Sequence, residues 1–123
     1  MTAEIAIMNK EGIALAADSA ATFRQGDGQK TFTSANKIFS LSKYEPVGIM
    51  FNGNAHLMNT PWEIIVKVYR NKLGSKQFGT LAEYADDFIG FLDGGTPLVP
   101  DAHQRKHFAN SVYMHFCHIA QQI

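Results

Sequence analysis

Thr2, Asp18 and Lys37 are residues whose types and spacing suggest bond-making chemistry. Methionine aminopeptidases remove an initiator Met when the next residue is small, so Thr2 can become a chain terminus. A terminal Thr holds a hydroxyl nucleophile beside an α-amine, whose ordinary pKa of about 7.7–8.0 suits a general base near neutral pH. A retained Met1 would leave an amide nitrogen there and remove the base. Thr is also a common second residue, and most such threonines do nothing. Asp18 lies in the run Ala16-Ala17-Asp18-Ser19 after an apolar segment. A carboxylate there can approach the start of an antiparallel neighbour; its plain alternative is an Asp that opens a turn. Lys37 begins the segment Lys37-Ile38-Phe39-Ser40-Leu41. A strand-opening lysine is usually solvated, but beside a buried Asp it can lower a hydroxyl's pKa or orient it through an ion pair.

A second cluster comprises His103, His107, His115 and His118, with Cys117 among them. At about 100° per residue the four imidazoles fall within about 120° of one helix face, beside Phe108, Val112, Phe116 and Ile119. His103 and His107 are one turn apart, which suits two ligands of a single metal. Cys117 points away from that arc, and no Glu sits inside the His-x-x-x-His pair. The stripe therefore reads as the polar border of an amphipathic helix, and neither a metal nor another cofactor is expected. Gly26-Asp27-Gly28 lacks a following helix or a Gly-Lys-Ser/Thr element, so it gives no phosphate-loop signal.

The elements that must position these residues follow from punctuation. Ala3 to Met8 and Ile13 to Ala17 flank the turn Asn9-Lys10-Glu11-Gly12 and predict a β-hairpin. Residues 24–35 read as a loop. Lys37 to Leu41 and Val47 to Phe51 predict a second strand pair around Ser42-Lys43-Tyr44-Glu45-Pro46. Beyond residue 54 the signals turn helical. Thr60-Pro61-Trp62-Glu63 has the form of a capping box with Pro at the first helical position, and Gly74 stops that helix. Thr80-Leu81-Ala82-Glu83 is another capping box, opening a helix that ends at Asp93-Gly94-Gly95. Asp101-Ala102-His103-Gln104 opens a third helix to about Ala120. Trp62, Tyr69, Phe78, Phe88 and Phe91 fall at helix-core spacings. The expected class is α+β: four strands as one sheet, then three helices, with a β half over 1–54 and a helical half over 55–123. The hairpins are apolar on both faces, since Ile5, Ala6, Ile7 and Met8 are consecutive. Such a sheet wants a second layer, and self-association, as a homo-oligomer, is expected.

The chain has 123 residues, 46% hydrophobic and 18% charged, with eleven basic and eleven acidic side chains. The balance gives no basic excess for nucleic acid or an anionic membrane. Cys117 is the single cysteine, so no intrachain disulfide forms. There is no signal-peptide pattern at the start and no apolar run of spanning length, so a cytoplasmic protein is expected.

The pattern TAEIAIMNKEGIALAADSAAT, then NKIFSL, then VGIMFNGNA, resembles proteasome β subunits and the simpler bacterial proteasome-like peptidases. The resemblance covers about residues 2 to 73 and implies an N-terminal-nucleophile hydrolase with an αββα sandwich, of which this chain would be the N-terminal half, a single partial domain over 1–123. It implies Thr2 as nucleophile, with Asp18 sixteen residues later and Lys37 in the matching strand. It further implies Gly53 as the oxyanion-hole N–H and Thr22 as a backbone contact that aligns a peptide substrate as an added strand. The implied activity is threonine-type peptidase chemistry on a peptide or protein; the alternative is a non-catalytic assembly or binding subunit of the same class. Ala20 departs from the pattern, where members often carry Arg, and residues 90 to 123 fit it poorly.

Overall fold

Asn9 makes the first turn. Its Oδ1 accepts from the backbone N–H groups of Glu11 and Gly12, each at 2.8 Å, and its own N–H donates to the Gly12 carbonyl at 3.0 Å. The side chain thus closes the turn locally between strands Glu4–Met8 (β1) and Ile13–Ala17 (β2), which pair antiparallel with Met8 opposite Ile13. The computed structural model describes residues 3–25, 28–32, 36–94 and 98–122.

The expected loop over 24–35 is corrected by the structure. Ala21–Gln25 (β3) and Gly28–Phe32 (β4) form a second antiparallel hairpin, with Thr22 opposite Thr31. Thr22, Phe23, Thr31 and Phe32 are β-branched or aromatic residues that favour strands, and only residues 26–27 separate the two segments, a spacing typical of hairpins.

Ile38–Ser40 (β5) and Gly48–Met50 (β6) pair as expected. Bonds from Phe51 N–H to the Lys37 carbonyl at 3.0 Å and from Leu41 N–H to the Val47 carbonyl at 2.8 Å extend them. The buried Ser42 hydroxyl organises their turn, accepting from the N–H groups of Tyr44 and Glu45 at 3.2 and 3.1 Å. His56–Leu57 (β7) and Thr60–Pro61 (β8) make a fourth, minimal hairpin. Among the described residues the strands therefore form four separate two-stranded ladders, where one four-stranded sheet was expected. β2 lies against β5 and β6 by side-chain packing. Gly48 permits this: a Cβ there would sit 2.8 Å from Leu15 Cδ1.

The first helix, Trp62–Leu73 (α1), is not capped by Thr60. Thr60 is extended and paired with Leu57, Pro61 occupies the N-cap, and no side chain caps the first turn. The helix therefore starts one residue later than the capping-box pattern predicts, and Pro61, which has no side-chain acceptor, holds the N-cap position in place of the first helical one. Gly74 does stop the helix, at φ 58 and ψ −124, a conformation that side chains disfavour. The second helix, Leu81–Asp93 (α2), has the full capping box, Thr80 Oγ1 accepting from Glu83 N–H while the Glu83 carboxylate accepts from Thr80 N–H. The third, Asp101–Ala120 (α3), follows Pro100.

The core lies where α1 and α2 meet β5 and β6. Ile65, Val66, Tyr69 and Leu73 from α1 and Tyr84, Phe88 and Phe91 from α2 recur at helical spacing and are buried with Leu41. Tyr69 meets Phe88 and Phe91 edge-on, with ring centroids 5.0 and 5.2 Å away. Phe39, Val47, Ile49 and Phe51 support the cluster from below, and Trp62 and Phe78 pack at its edges. Each such side chain contributes about 1.5–3 kcal/mol by leaving water. In contrast, α3 buries none of its residues, and its stripe of Phe108, Val112, Phe116 and Ile119 is exposed. The architecture is mixed α and β, with small antiparallel sheets and three helices. No described helix is long and apolar enough to cross a membrane.

Candidate functional site

Two of the candidate residues meet. Asp18 leaves β2 with its N–H donating to the Ala3 carbonyl at 2.9 Å, so the carboxylate stands opposite the start of β1. Lys37 enters β5 one residue before Ile38, with its carbonyl tied to Phe51. The packing of β2 on β5 and β6 brings the two side chains together, and the Lys37 ammonium donates to Asp18 Oδ1 in a close ion pair. The lysine side chain is 11% exposed and the aspartate 33%. The lysine stem is thus withdrawn from water, while the carboxylate keeps one side toward solvent. The Lys37 hydrogen bond holds the Asp18 carboxyl below the usual carboxylate range. Partial desolvation opposes this, and the Ala3 contact and the Lys37 charge reinforce it. An ionised Asp18 beside an ammonium is a pair that can orient and polarise a hydroxyl placed next to it.

Thr2 lies outside the described residues; its neighbour Ala3 is bonded to Asp18. Thr22 sits on β3, in a ladder whose described strands are only β3 and β4, so one edge of β3 has no described partner. Gly53 follows β6 at φ 84, with open space where a Cβ would point. It shares no hydrogen bond with the Asp18–Lys37 pair. Its segment is pinned at the foot of α1 instead. Trp62 stacks on Phe51 with centroids 4.4 Å apart, its indole N–H donates to the Asn54 carbonyl at 3.0 Å, and its backbone N–H donates to the Ala55 carbonyl at 3.1 Å. The structure thus joins Asp18 to Lys37 and holds Gly53 two residues beyond the Phe51–Lys37 bond.

Two further features have little signal in the sequence. Asp87 accepts from the Tyr69 hydroxyl and the Lys76 ammonium, each at 2.9 Å. Lys76 and then Tyr69 keep the Asp87 carboxyl below its usual range against desolvation, while burial and then Asp87 push the Tyr69 phenol well above its ordinary value. The network ties α1 to α2, and Tyr69 alone among its members had been identifiable, as an apolar core position. The second feature is a groove of about 310 Å³ between β5–β6 and α2, lined by Leu41, Val47, Ile49, Tyr84, Phe88 and Ile89. Only the alternation of Val47 and Ile49 on one strand face hints at it.

The histidines of α3 do not converge. Among the described residues no group of three His, Cys, Asp or Glu side chains is placed to hold a metal ion. His103 and His107 line a cleft, whereas His118 contacts Gln122 at 2.9 Å further along the helix. Comparisons with protein-family models, curated proteins and solved structures return no match for this chain.

Proposed function

We propose that the chain carries the nucleophile half of a threonine-type peptidase of the proteasome β-subunit-like class, folded as part of an αββα N-terminal-nucleophile hydrolase. The observation that carries the reading is the Lys37–Asp18 ion pair, set beside the residue that follows Thr2. After Met1 removal, the Thr2 hydroxyl attacks a peptide carbonyl and its proton passes to the α-amine through a water. The oxyanion accepts the Gly53 N–H, a type of donor worth on the order of 10²–10³ in turnover. The carbon–nitrogen bond then breaks, the amine leaves with the proton, and water hydrolyses the ester to regenerate Thr2. Lys37 polarises the hydroxyl and Asp18 holds Lys37 in place. The edge of β3, the strand that carries Thr22, has no partner among the described strands and receives the peptide as an added strand. No cofactor takes part.

The test is labelling by a peptide epoxyketone, which needs the hydroxyl and the adjacent amine to close its ring. Protein shown by intact mass to lack Met1 should be modified at Thr2. Thr2→Ala should abolish labelling, Lys37→Ala should slow it on the order of 10²-fold, and Cys117→Ser should leave it unchanged. A folded, Met1-free preparation that stays unlabelled would defeat the reading. The second reading is a non-catalytic assembly or binding subunit. It is favoured by Ala20 and by the exposure of Ile5, Ile7, Met8 and Ile13 on the first hairpin, an apolar surface suited to another copy of the chain.

A further inference from the structure

The first half of α3 faces the β7–β8 turn across a cleft of about 410 Å³. Asn59 and Thr60 line one wall; His103, Lys106, His107 and Asn110 line the other. At about 100° per residue the four α3 positions share about 100° of arc, so the helix presents them together. Their polar groups are an ammonium, two imidazoles and a carboxamide, facing a second carboxamide and a hydroxyl. None of the described lining residues carries a carboxylate. These six side chains form no hydrogen bond or ion pair with any described residue, so their donors are uncommitted.

The strand-side wall is held in an unusual backbone. Met58 and Asn59 occupy the turn at φ 49 and φ 68, the left-handed region that non-glycine residues seldom enter. Positive φ at both central positions is the geometry of a two-residue hairpin, for which Asn-Gly is the common pair. The Met58 side chain lines a small apolar cavity with Leu57, Ile65, Phe91 and Leu98. That packing gives the turn an anchor, and the next residue, Asn59, is left exposed on the cleft. The cleft therefore has one wall anchored in the apolar interior and one wall on a regular helix.

We propose that this cleft binds a small doubly charged oxyanion. Lys106 disfavours a cation between the two imidazoles, and the pair His103–His107 has no third His, Cys, Asp or Glu ligand among the described residues. An oxyanion can use a donor from each polar side chain present: it accepts from the ammonium, the carboxamide N–H groups, the hydroxyl and the imidazole N–H groups. The site stands apart from Asp18 and Lys37, and shares no lining residue with them.

The experiment follows the imidazole and Asn110 side-chain NMR signals during titration with inorganic phosphate and, separately, malonate, with ionic strength held constant by chloride. Saturable shifts confined to the cleft are expected for at least one probe. Saturation by phosphate alone identifies a tetrahedral phosphate site, and saturation by both identifies a general dianion site. Lys106→Gln should weaken binding about tenfold, as should the double change His103→Gln with His107→Gln, while Lys10→Gln should leave it unchanged. All these positions are exposed, and a far-UV spectrum matching the parent establishes that each variant folds. Shifts that fail to saturate, or that survive Lys106→Gln at full affinity, would overturn the proposal. Saturable zinc binding without a response to either anion would overturn it in favour of a metal site.

Discussion

The α1–α2 pair and the β1–β2 hairpin are both rich in apolar residues, yet they use them in opposite ways. In α1 and α2 the apolar positions recur every three or four residues, and the resulting stripe is sealed against β5 and β6, with Tyr69 only 1% exposed. In β1 the apolar residues are consecutive, and Ile5, Ala6, Ile7 and Met8 are all exposed. Helical period gives a single face to bury, so one partner layer suffices. A consecutive apolar strand has two faces, and among the described residues β2 lies against β5 and β6, with Leu15 at Gly48, while Ile5, Ile7 and Met8 of its partner strand stay exposed. Apolar content alone therefore does not identify a core; the period in which it is written decides whether one layer can cover it.

The largest break in this contrast is expected at Tyr69. Tyr69→Ala removes a ring packed edge-on against two others and should cost about 3–5 kcal/mol, read as a lowered urea midpoint with a two-state transition. Tyr69→Phe keeps the packing and loses the bond to Asp87, so about 1 kcal/mol is expected. A loss from Tyr69→Ala below that figure would mean the α1–α2 cluster is not the stabilising core.

Gly74 comes next. Its φ of 58 and ψ of −124 suit glycine alone, although a Cβ there meets no atom within 4 Å. Gly74→Ala should therefore cost about 1–3 kcal/mol through backbone strain without a clash. A neutral result in thermal unfolding would show that α1 ends with slack.

Asp18 tests how the hairpin is attached. Its folded pKa is depressed by Lys37, so its contribution is complete above the ordinary carboxylate value of about 3.9 and is lost as pH falls through the lower folded value. Asp18→Asn should flatten that part of the acid limb. Amide exchange should respond most in β1 and β2, while Ile65 and Tyr69 keep their protection. Equal loss in both regions would erase the contrast.

The smallest stability effects belong to exposed apolar positions. Ile7→Lys and Phe116→Lys should each change unfolding free energy by no more than about 0.5 kcal/mol. If these surfaces mediate self-association, the same changes should shift sedimentation toward monomer. An unchanged profile at micromolar concentration would remove the hairpin face and α3 as contact surfaces.

What could be read in the sequence follows the same divide. The first hairpin, the β5–β6 pair, the Thr80 capping box and the Gly74 stop rest on local signals of a few residues, and the structure has them. Thr60-Pro61-Trp62-Glu63 carries an equally good local signal, but the helix starts one residue later, with Pro61 in place of Thr60 at the N-cap. The β3–β4 hairpin was hidden because Gly26-Asp27-Gly28 punctuates a turn and a loop alike, and the polar flanks show little hydrophobic alternation. For the candidate site, Asp18 and Lys37 were identifiable by type, and their contact depends on β2 packing against β5, a tertiary event with no local signature. Asn59 and Lys106 were not identifiable, because a left-handed turn and a helix face become one wall pair only in three dimensions.

The Asp18–Lys37 pair joins positions 19 apart in sequence, with the whole β3–β4 hairpin lying between them. In chain-statistical terms it is a clasp on a ring, and the penalty for closing a ring rises only with the logarithm of its circumference. Doubling that circumference costs only about 0.6 kcal/mol. The β3–β4 excursion can therefore be lengthened, shortened or exchanged with little effect on the clasp, which leaves it a natural place for variation in length and sequence.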